Sequence, residues 1–262
     1  MGVPLFVVDA FASRPFTGNP AAVSLLDEPA DDAWMQSVAA EMSLSETAFV
    51  RPLDDDFELR WFTPTTEVEL CGHATLASAH VLWEAGRLER AEPARFHTRF
   101  RGLLSAECTG DAIELDFPAD PPEPASLPDG LADALGVEAK ETMQAGVGYL
   151  IEVADEDAVR GVHPEFARLA GFESVIVTSA ADGSQADFVS RYFAPRYGID
   201  EDPVTGAAHC ALGPYWAARL GRDNLVGYQA SARGGTVAVR VEGGRVRLGG
   251  RAVTVVRGEL AL

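Results

Sequence analysis

Cysteine is scarce in this sequence, which has only Cys71, Cys108 and Cys210 in 262 residues. Three scattered thiols are too few for a disulfide framework, and they lack the Cys-x-x-Cys spacing of a metal site. We therefore expect three reduced thiols and no metal centre.

Long apolar runs and basic residues are also lacking. No stretch approaches the roughly 18 uncharged apolar residues that a membrane helix needs, and the N-terminus lacks the basic and apolar segments of a signal peptide. The 21 basic residues are outnumbered by 40 acidic ones, and the resulting net charge of −19 repels a phosphate backbone. The composition predicts a cytoplasmic protein that binds neither membranes nor nucleic acid.

One motif is present twice. Arg60-Trp61-Phe62-Thr63-Pro64 leads to Gly72 and an apolar run, and Arg191-Tyr192-Phe193-Ala194-Pro195 leads to Gly206 and another. The two copies start half a chain length apart, which indicates a duplicated domain rather than a solenoid of short repeats. Such a duplication is expected to place a single site between its two copies.

The repeat predicts an α+β fold of two pseudo-symmetric domains, each a mostly antiparallel sheet wrapped around a central helix. Residues 73–87 and 206–220 are apolar or small on every side, which is typical of buried helices. The second should be kinked or shortened by Pro214. A further helix is expected at 31–42. Strands are expected at 5–10, 57–63, 94–108, 112–117, 145–153, 173–178, 186–194, 235–242, 245–249 and 252–257.

The domain boundaries follow from the proline content. Residues 118–128 contain Pro118, Pro121, Pro122, Pro124 and Pro128, which predicts a stiff linker. The expected organisation is an N-terminal domain at 1–117, this linker, and a C-terminal domain at 129–262.

Both motif copies lead into a glycine at the start of a buried helix. Unpaired N–H groups and the helix dipole attract an anion there, and Gly72 and Gly206 allow a ligand to approach the backbone closely. The structural alternative is that these glycines only permit tight packing. His73 and Asp202 lie beside them, and each could equally be structural, His73 as a satisfied core histidine and Asp202 as a helix N-cap.

Glu46 is a third candidate, since it lies between the predicted helix at 31–42 and an apolar segment. Partial burial would raise the pKa of its carboxyl group toward the range useful for proton exchange at neutral pH. The alternative is an exposed glutamate at the start of a strand.

Five motifs together resemble the PhzF family, the phenazine-biosynthesis-like isomerases. They are Val8-Asp9-Ala10-Phe11 with Phe16-Thr17-Gly18-Asn19-Pro20, Ser45-Glu46-Thr47-Ala48-Phe49, Leu70-Cys71-Gly72-His73-Ala74-Thr75-Leu76-Ala77, and Glu201-Asp202-Pro203-Val204-Thr205-Gly206. The resemblance implies a diaminopimelate epimerase-like fold, which agrees with the architecture expected from the repeat.

The resemblance also implies a homodimeric, cofactor-independent isomerase of a small carboxylate-bearing substrate. Glu46 matches the family's catalytic glutamate, which moves a proton between two carbons. Residues that match the substrate-binding positions are His73, Asp202 and the backbone at Gly72 and Gly206, and Asn19 and Ser45 fall in motifs near the pocket. Ala207 departs from the family's frequent serine, which leaves its backbone N–H as the group that could bind substrate.

Three alternatives remain open at this point. A cysteine-dependent racemase or epimerase would use Cys71, but the second copy of the motif has no equivalent cysteine before Gly206. A metalloenzyme would need His73, His80 and His209 to converge, although no known metal-ligand spacing is present. A non-catalytic homologue that only binds a small molecule would keep the pocket without the chemistry.

Overall fold

The computed structural model describes residues 2–183 and 185–261, and the chain divides into two compact units. The first unit is Met1–Asp116 together with Gly249–Leu262, and the second is Phe117–Leu248. This division differs from the expected one. Residues 249–262, expected in a C-terminal domain at 129–262, belong to the first unit, which therefore extends beyond the expected N-terminal domain at 1–117. Residues 118–128, expected as a linker, belong to the second unit. Within the described residues, no helix is both long enough and apolar enough to cross a membrane.

The first unit is a mostly antiparallel sheet with one parallel pairing on each side of its central hairpin. In chain order its elements are β1 (Val3–Ala10), β2 (Asn19–Leu25), α1 (Asp32–Met42), β3 (Glu46–Leu53), β4 (Asp56–Phe62), β5 (Glu67–Val68), α2 (Gly72–Glu84), β6 (Ala94–Thr98), β7 (Gly102–Thr109) and β8 (Ala112–Pro118). The pairs β1–β2, β3–β4, β4–β5, β6–β7 and β7–β8 are antiparallel, whereas β2–β3 and β4–β6 are parallel.

The second unit repeats this order of pairings. Its elements are β9 (Glu123–Pro124), α3 (Leu131–Leu135), β10 (Glu141–Ala145), β11 (Gly148–Glu152), α4 (Glu156–Arg160), α5 (Phe166–Leu169), β12 (Val175–Ala180), β13 (Phe188–Ala194), β14 (Ile199–Asp202), α6 (Gly206–Leu220), β15 (Asn224–Gln229), β16 (Gly235–Glu242) and β17 (Arg245–Gly250). The pairs β10–β11, β12–β13, β13–β14 and β15–β16 are antiparallel, and β11–β12 and β13–β15 are parallel. The same sequence of pairings in both units agrees with the duplication predicted from the motif.

The duplicated motif also makes the same contacts twice. Arg60 forms a two-armed salt bridge with Glu67, with N···O distances of 2.7 and 2.8 Å, and its guanidinium carbon lies 5.1 Å from the centre of the Phe62 ring. Arg191 does the same with Glu201, at 2.7 and 2.9 Å, and lies 4.9 Å from the centre of the Phe193 ring. The motif therefore has a structural role. Its arginine links β4 to β5 in the first unit and β13 to β14 in the second, just before each central helix.

The two central helices are buried as predicted. Helix α2 packs against strands β1, β2 and β3 and also against β7, and nearly all of its side chains from His73 to Leu82 are buried. Helix α6 packs against β15 and β16 and is buried over most of its length. Helix α1, expected at 31–42, begins after the N-cap Asp31, whose carboxylate accepts from the Trp34 N–H, and packs on Phe49 and Phe62.

Pro214 neither shortens α6 nor divides it, because the carbonyl that it leaves without a helical donor is satisfied by another segment. A proline at this position cannot bond to the Cys210 carbonyl four residues earlier. That carbonyl accepts from the Asp120 N–H at 3.0 Å instead. The Asp120 carboxylate in turn accepts from the N–H groups of Gly146 and Val147. The proline-rich segment is therefore bonded into the second unit and is not a free linker.

The C-terminal segment belongs to the first unit because it extends the first sheet. Strand β18 (Ala252–Leu260) pairs antiparallel with β1 along its whole length, from Val3 opposite Leu260 to Ala10 opposite Ala252. This pairing satisfies the edge of β1, whose other edge is bonded to β2.

Candidate active site

Glu46 is the first residue of β3 and lies just beyond the end of α1. The helix stops at Ser43, which has a left-handed φ of 52°, and β3 then runs parallel to β2 with Glu46 opposite Ala21. The Glu46 side chain is 13% exposed. Burial raises the pKa of its carboxyl group, and the neighbouring polar groups of Ser45 and Cys71 oppose this shift without cancelling it. The exposed-glutamate interpretation of this residue is therefore wrong.

His73 lies in the first turn of α2 and faces Glu46. Its side chain is 5% exposed, and its Nε2 is 3.3 Å from Glu46 Oε2, close enough for an ion pair although the two groups are not aligned for a hydrogen bond. On the other side of the ring, His73 Nδ1 is 3.1 Å from Asn19 Nδ2. With the amide assigned in this orientation, Asn19 donates to Nδ1 and the ring proton is on Nε2, toward the carboxyl group.

Cys71 completes this group of side chains. Its thiol is buried, and Sγ lies 3.4 Å from His73 Nδ1 and 3.9 Å from Nε2. In residues 2–183 and 185–261, Glu46, Cys71 and His73 form the one cluster of three potential metal ligands, with one donor atom from each within 4.8 Å of the others. This cluster includes neither His80 nor His209, so the set of three histidines suggested by the sequence is wrong.

The starts of both central helices lack a side-chain cap among the described residues. Cys71 and Thr205 are the N-cap residues, and neither side chain accepts from the first turn of its helix. The N–H groups at Gly72 and His73, and those at Gly206 and Ala207, belong to first turns where the helix supplies no acceptor. Gly72 is half-buried, Gly206 is buried and Ala207 is exposed.

Asp202 is the last residue of β14 and is 7% exposed. It is not the N-cap of α6, the structural role considered for it from the sequence, because the helix begins at Gly206 and the N-cap is Thr205. Its carboxylate accepts from the Thr205 hydroxyl at 2.5 Å. The charge of Asp202 is one cause of a raised pKa at the nearby Tyr192, after burial, which is the larger cause; together they raise that pKa to about 12.

Gln229 holds the segment between Asp202 and α6, and sequence patterns do not reveal it. Its side chain is fully buried on β15. Its Nε2 donates to the Asp202 carbonyl at 2.7 Å, and its Oε1 accepts from the Thr205 N–H at 2.9 Å. A single glutamine in a strand, far along the chain from the loop it binds, carries no local sequence signal.

The surroundings of the remaining candidates, Cys210, His209 and His80, indicate structural roles. Cys210 is buried, and burial raises the pKa of its thiol to about 12, so it is inert near neutral pH. His209 is fully buried with Nδ1 2.8 Å from the Thr205 carbonyl, and burial lowers its pKa to about 4. His80 lies 3.1 Å from the Thr254 hydroxyl. The second unit therefore offers no reactive thiol, among its described residues, to pair with Cys71.

Within the first unit, the structure brings together Glu46, His73 and Asn19, with Ser45 and Gly72 adjacent to them in the chain. Within the second unit, it brings together Asp202, Gly206 and Ala207 at the start of α6. His73 is the residue that joins the first group, with Asn19 at 3.1 Å from its Nδ1 and Glu46 at 3.3 Å from its Nε2.

The chain is similar to known proteins over nearly its whole length. The profile of the PhzC-PhzF family, described as phenazine biosynthesis-like protein, matches residues 8–258. An uncharacterized isomerase from Halalkalibacterium halodurans is 48% identical over 265 residues, covering 100% of both chains.

Solved structures give the same result. The crystal structure of a PhzF-family phenazine biosynthesis protein from Enterococcus faecalis superposes with a TM-score of 0.95 at 40% identity, covering 100% of both chains. A probable proline racemase from Agrobacterium radiobacter has a TM-score of 0.65 at 12% identity, covering 99% of this chain and 93% of that one, which shows a shared fold alone. The predicted fold class, two epimerase-like α+β domains, is confirmed.

Proposed function

Because the chain belongs to the PhzC-PhzF family, whose curated relatives include proteins named isomerases, we propose that it isomerises a small carboxylate-bearing substrate by moving one proton between two carbons. The proposal depends on one observation above all. The Glu46 carboxyl group is buried, its pKa is raised, and it lies 3.3 Å from His73 Nε2.

The chemistry requires one group that acts first as base and then as acid. The ionised Glu46 carboxylate removes a proton from one substrate carbon, the bonding electron pair shifts toward a second carbon, and the protonated Glu46 returns the proton there. No proton or electron is lost, so the step needs no redox partner and no cofactor. A carboxyl group whose pKa is raised toward neutrality serves both halves of the step, and positioned proton transfer of this kind contributes about 10²–10⁴-fold.

His73 is proposed to hold the substrate beside Glu46. With its proton on Nε2, it can donate to a substrate oxygen and stabilise negative charge that develops there. Asn19 keeps the ring in this tautomer through Nδ1, and Ser45 offers a hydroxyl next to the carboxyl group.

In each unit, the start of the central helix is proposed as a binding place for an anionic group such as a carboxylate. Each uncapped first turn is worth about 0.3–2 kcal/mol to an anion, depending on burial. Gly72, Gly206 and Ala207 contribute backbone N–H groups in this proposal. Asp202, fixed by Thr205, is proposed to accept a hydrogen bond from a substrate hydroxyl or amine group.

The proposal includes a cytoplasmic location, which the composition predicts, and a homodimeric state, which the family resemblance implies. The three cysteines, all within the described residues, form no disulfide, which suits a reducing compartment. Sedimentation is expected to give twice the chain mass of 27.9 kDa, and a single species of one chain mass would contradict the dimer.

The test is a screen of small carboxylates for incorporation of solvent deuterium, followed on any hit with Glu46→Gln. The variant keeps the shape of the side chain and loses the titrating oxygen, so we expect turnover to fall by at least about 10²-fold while binding of a non-reacting analogue changes only several-fold. Glu69→Gln is the matched control, because Glu69 is an exposed carboxylate of the same unit, paired with Arg101.

Two results would contradict the assignment. Near-normal exchange by Glu46→Gln would remove Glu46 from the reaction. Loss of exchange in Cys71→Ala with retention in Glu46→Gln would instead favour a cysteine-dependent racemase or epimerase.

A further inference from the structure

The second residue of the duplicated motif is an aromatic residue with a polar edge in both copies, Trp61 in the first and Tyr192 in the second. The salt bridges and ring contacts of the motif involve its arginine and phenylalanine but not this residue. In the first unit, the indole nitrogen Nε1 of Trp61 is buried and has no hydrogen-bond partner among the described residues. Because buried polar groups are nearly always hydrogen-bonded to protein or to ordered water, we expect this N–H to bind through a water or to a ligand.

The register of the strands places Trp61 on the same face of the sheet as Glu46. Trp61 on β4 lies opposite Ala48 on β3, and Glu46 lies two residues before Ala48, so the three side chains share one face. Diagonal neighbours such as Trp61 and Glu46 are about 7–8 Å apart, which is within reach of aromatic and long side chains. The Glu46 oxygen Oε2 is also buried and unpartnered in hydrogen bonding within the part of the chain that the structure describes. A donor and an acceptor that both lack a protein partner there are therefore diagonal neighbours on adjacent strands.

The second unit shows how far the residue at this motif position reaches. Tyr192 on β13 lies opposite Ile176 on β12, so the residue in the place of Glu46 is Ser174, two residues before Ile176. The hydroxyl groups of Tyr192 and Ser174 both donate to the Val147 carbonyl, at 3.4 and 2.5 Å. The two side chains of this diagonal pair therefore meet at one acceptor.

The indole nitrogen of a tryptophan does not extend as far from the backbone as a tyrosine hydroxyl does. A gap between Trp61 Nε1 and Glu46 Oε2 agrees with both atoms being unpartnered among the described residues. A buried water is stable where at least two polar groups bind it, and a water bridge is nearly as favourable in enthalpy as a direct hydrogen bond. Here the indole supplies a donor and the carboxylate supplies an acceptor.

We propose that Trp61 is a positioning residue for Glu46, and that its indole N–H holds the carboxylate oxygen Oε2 through one bridging water. A donor directed at the carboxylate favours its ionised form and restricts its rotation. The contact itself does not depend on the reaction. Its catalytic consequence rests on the proposed function: a fixed carboxylate takes up and returns the proton in one direction, which is how orientation lowers a barrier.

The contact is tested by nitrogen-15 NMR of the indole N–H groups across a range of pH, since the chain has only four tryptophans. The Trp61 signal, assigned by its absence in Trp61→Phe, should shift with the same midpoint as the Glu46 carboxyl group and should stop shifting in Glu46→Gln. His73 and Cys71 are the titratable groups beside Glu46, and both remain in that variant, so loss of the shift assigns it to Glu46. The Trp216 signal is the control and should not follow Glu46, because its N–H donates to a threonine hydroxyl of the second unit at 3.0 Å.

The positioning role is tested by Trp61→Phe, which keeps an aromatic ring and removes the N–H. Loss of the donor should raise the pKa of Glu46 further. With a substrate from the deuterium screen, kcat should fall by about 10-fold while KM changes little. Trp34→Phe is the matched control, because Trp34 packs from α1 onto the other face of the same sheet, and it should leave the Glu46 pKa and kcat unchanged. If Trp61→Phe does not fold, loss of the other three signals in single Trp→Phe variants assigns Trp61 by elimination.

The proposal is overturned if the Trp61 signal does not follow the Glu46 midpoint, if it still does so in Glu46→Gln, or if folded Trp61→Phe leaves either the Glu46 pKa or kcat unchanged. Failure of the proposed function has a different signature, which is near-normal deuterium exchange by Glu46→Gln. The indole and the carboxyl group can be coupled in a protein that catalyses nothing, and Glu46 can transfer protons without the indole.

Discussion

At the scale of single residues, two glutamates with little exposed side chain, Glu46 at 13% and Glu152 at 7%, illustrate how environment decides what a carboxyl group can do. Glu46 is shifted mainly by burial, and its pKa is raised. Burial also raises the pKa of Glu152, but hydrogen bonds from Lys140 Nζ at 2.5 Å and Tyr215 Oη at 2.6 Å outweigh it, so that pKa is lowered. The raised pKa of Glu46 suits the proton transfer proposed for it, whereas the carboxylate of Glu152 on β11 binds Lys140 and Tyr215 of α6.

The opposite pKa shifts of Glu46 and Glu152 predict opposite effects of their substitution on the free energy of unfolding. The folded-state pKa of Glu46 is raised above its ordinary value of 4.5. The contribution of this carboxyl group to the free energy of unfolding is therefore fully present below pH 4.5 and is lost as the pH rises through the folded-state pKa. We therefore expect Glu46→Gln to have a higher free energy of unfolding than wild type at neutral pH, and the difference to shrink on acidification. Urea unfolding at a series of pH values measures this.

Glu152→Gln is the control with the reverse sign. The folded-state pKa of Glu152 is lowered from its ordinary value of 4.5. The contribution of this carboxylate to the free energy of unfolding is therefore present above pH 4.5 and is lost as the pH falls through the lowered pKa. The variant should lose about 1–3 kcal/mol at neutral pH and approach wild type in acid. A Glu46→Gln variant that is less stable than wild type at neutral pH, by an amount that grows with pH, would contradict the raised pKa.

The sequence identifies Glu46 and His73 as candidates, but only coordinates bring Cys71 into contact with them. From the sequence, Cys71 is a candidate only as a thiol of the epimerase type, because the spacing Cys71-Gly72-His73 says nothing about which side chains turn toward each other at a helix start. The contact depends on the extended backbone of Cys71, whose φ is −144°, just before α2 begins.

At the scale of elements, the central helices differ from α1 in how they begin. Helix α1 has a side-chain cap from Asp31, whereas α2 and α6 have no side-chain cap among the described residues. Leaving first-turn N–H groups without a cap costs stability, which suits a helix start that binds an anion. In α6, Gln229 satisfies the Thr205 N–H just before the helix and so fixes where the helix starts.

Gln229→Leu should make the segment between Asp202 and α6 more mobile. Loss of the carboxamide leaves the Thr205 N–H and the Asp202 carbonyl without this partner, so we expect the Thr205 amide to lose hydrogen-exchange protection and the protein to lose about 1–3 kcal/mol of stability. Gln36→Leu is the matched control, because Gln36 also donates from its side chain to a distant carbonyl, that of Thr63 at 2.9 Å. Unchanged protection of Thr205 in Gln229→Leu would show that the glutamine does not hold the loop.

The elements that sequence patterns missed have identifiable causes. Residues 94–108 were predicted as one strand but form the hairpin of β6 and β7. The chain turns there because Gly102 adopts a left-handed φ of 69° and Thr98 accepts from the Arg101 N–H. Strands β10 and β15 were not predicted, since Glu141–Ala145 and Asn224–Gln229 are short and contain polar residues. The helix predicted at 73–87 ends at Glu84, two residues before Gly86 with its φ of 66°.

At the scale of the whole molecule, the repeat predicted the duplicated architecture but not the path of the C-terminus. Duplication assigns each half of the sequence to one domain, whereas β18 returns to pair with β1. Nothing local in residues 252–260 distinguishes a strand that completes its own sheet from one that completes the other. The choice depends on which sheet edge lacks a partner, and sequence alone does not show that.

Removal of residues 251–262 should therefore destabilise the first unit. Strand β1 would lose its pairing with β18 along its entire length and keep only its pairing with β2, and buried Val8 and Ala10 lie on that strand. We expect a loss beyond the 4–5 kcal/mol or so that marks exceptional point substitutions. Trp34, Trp61 and Trp83 lie in the first unit and Trp216 in the second, so tryptophan fluorescence should report the change.

Val256→Thr is the control for the truncation. This side chain is 50% exposed on β18, and the substitution keeps the strand pairing, so the effect should stay within about 0.5 kcal/mol. A truncated chain with the melting temperature and fluorescence spectrum of wild type would mean that β18 is dispensable to the first unit.

Acid/base catalysis by Glu46 requires a carboxyl group that can both take up and return a proton. Carbon-13 NMR titration of glutamate-labelled protein measures this property, with the Glu46 signal assigned by its absence in Glu46→Gln. We expect the pKa of this carboxyl group to lie above its ordinary value of 4.5. A pKa at or below 4.5 would mean that Glu46 does not exchange protons in the way proposed.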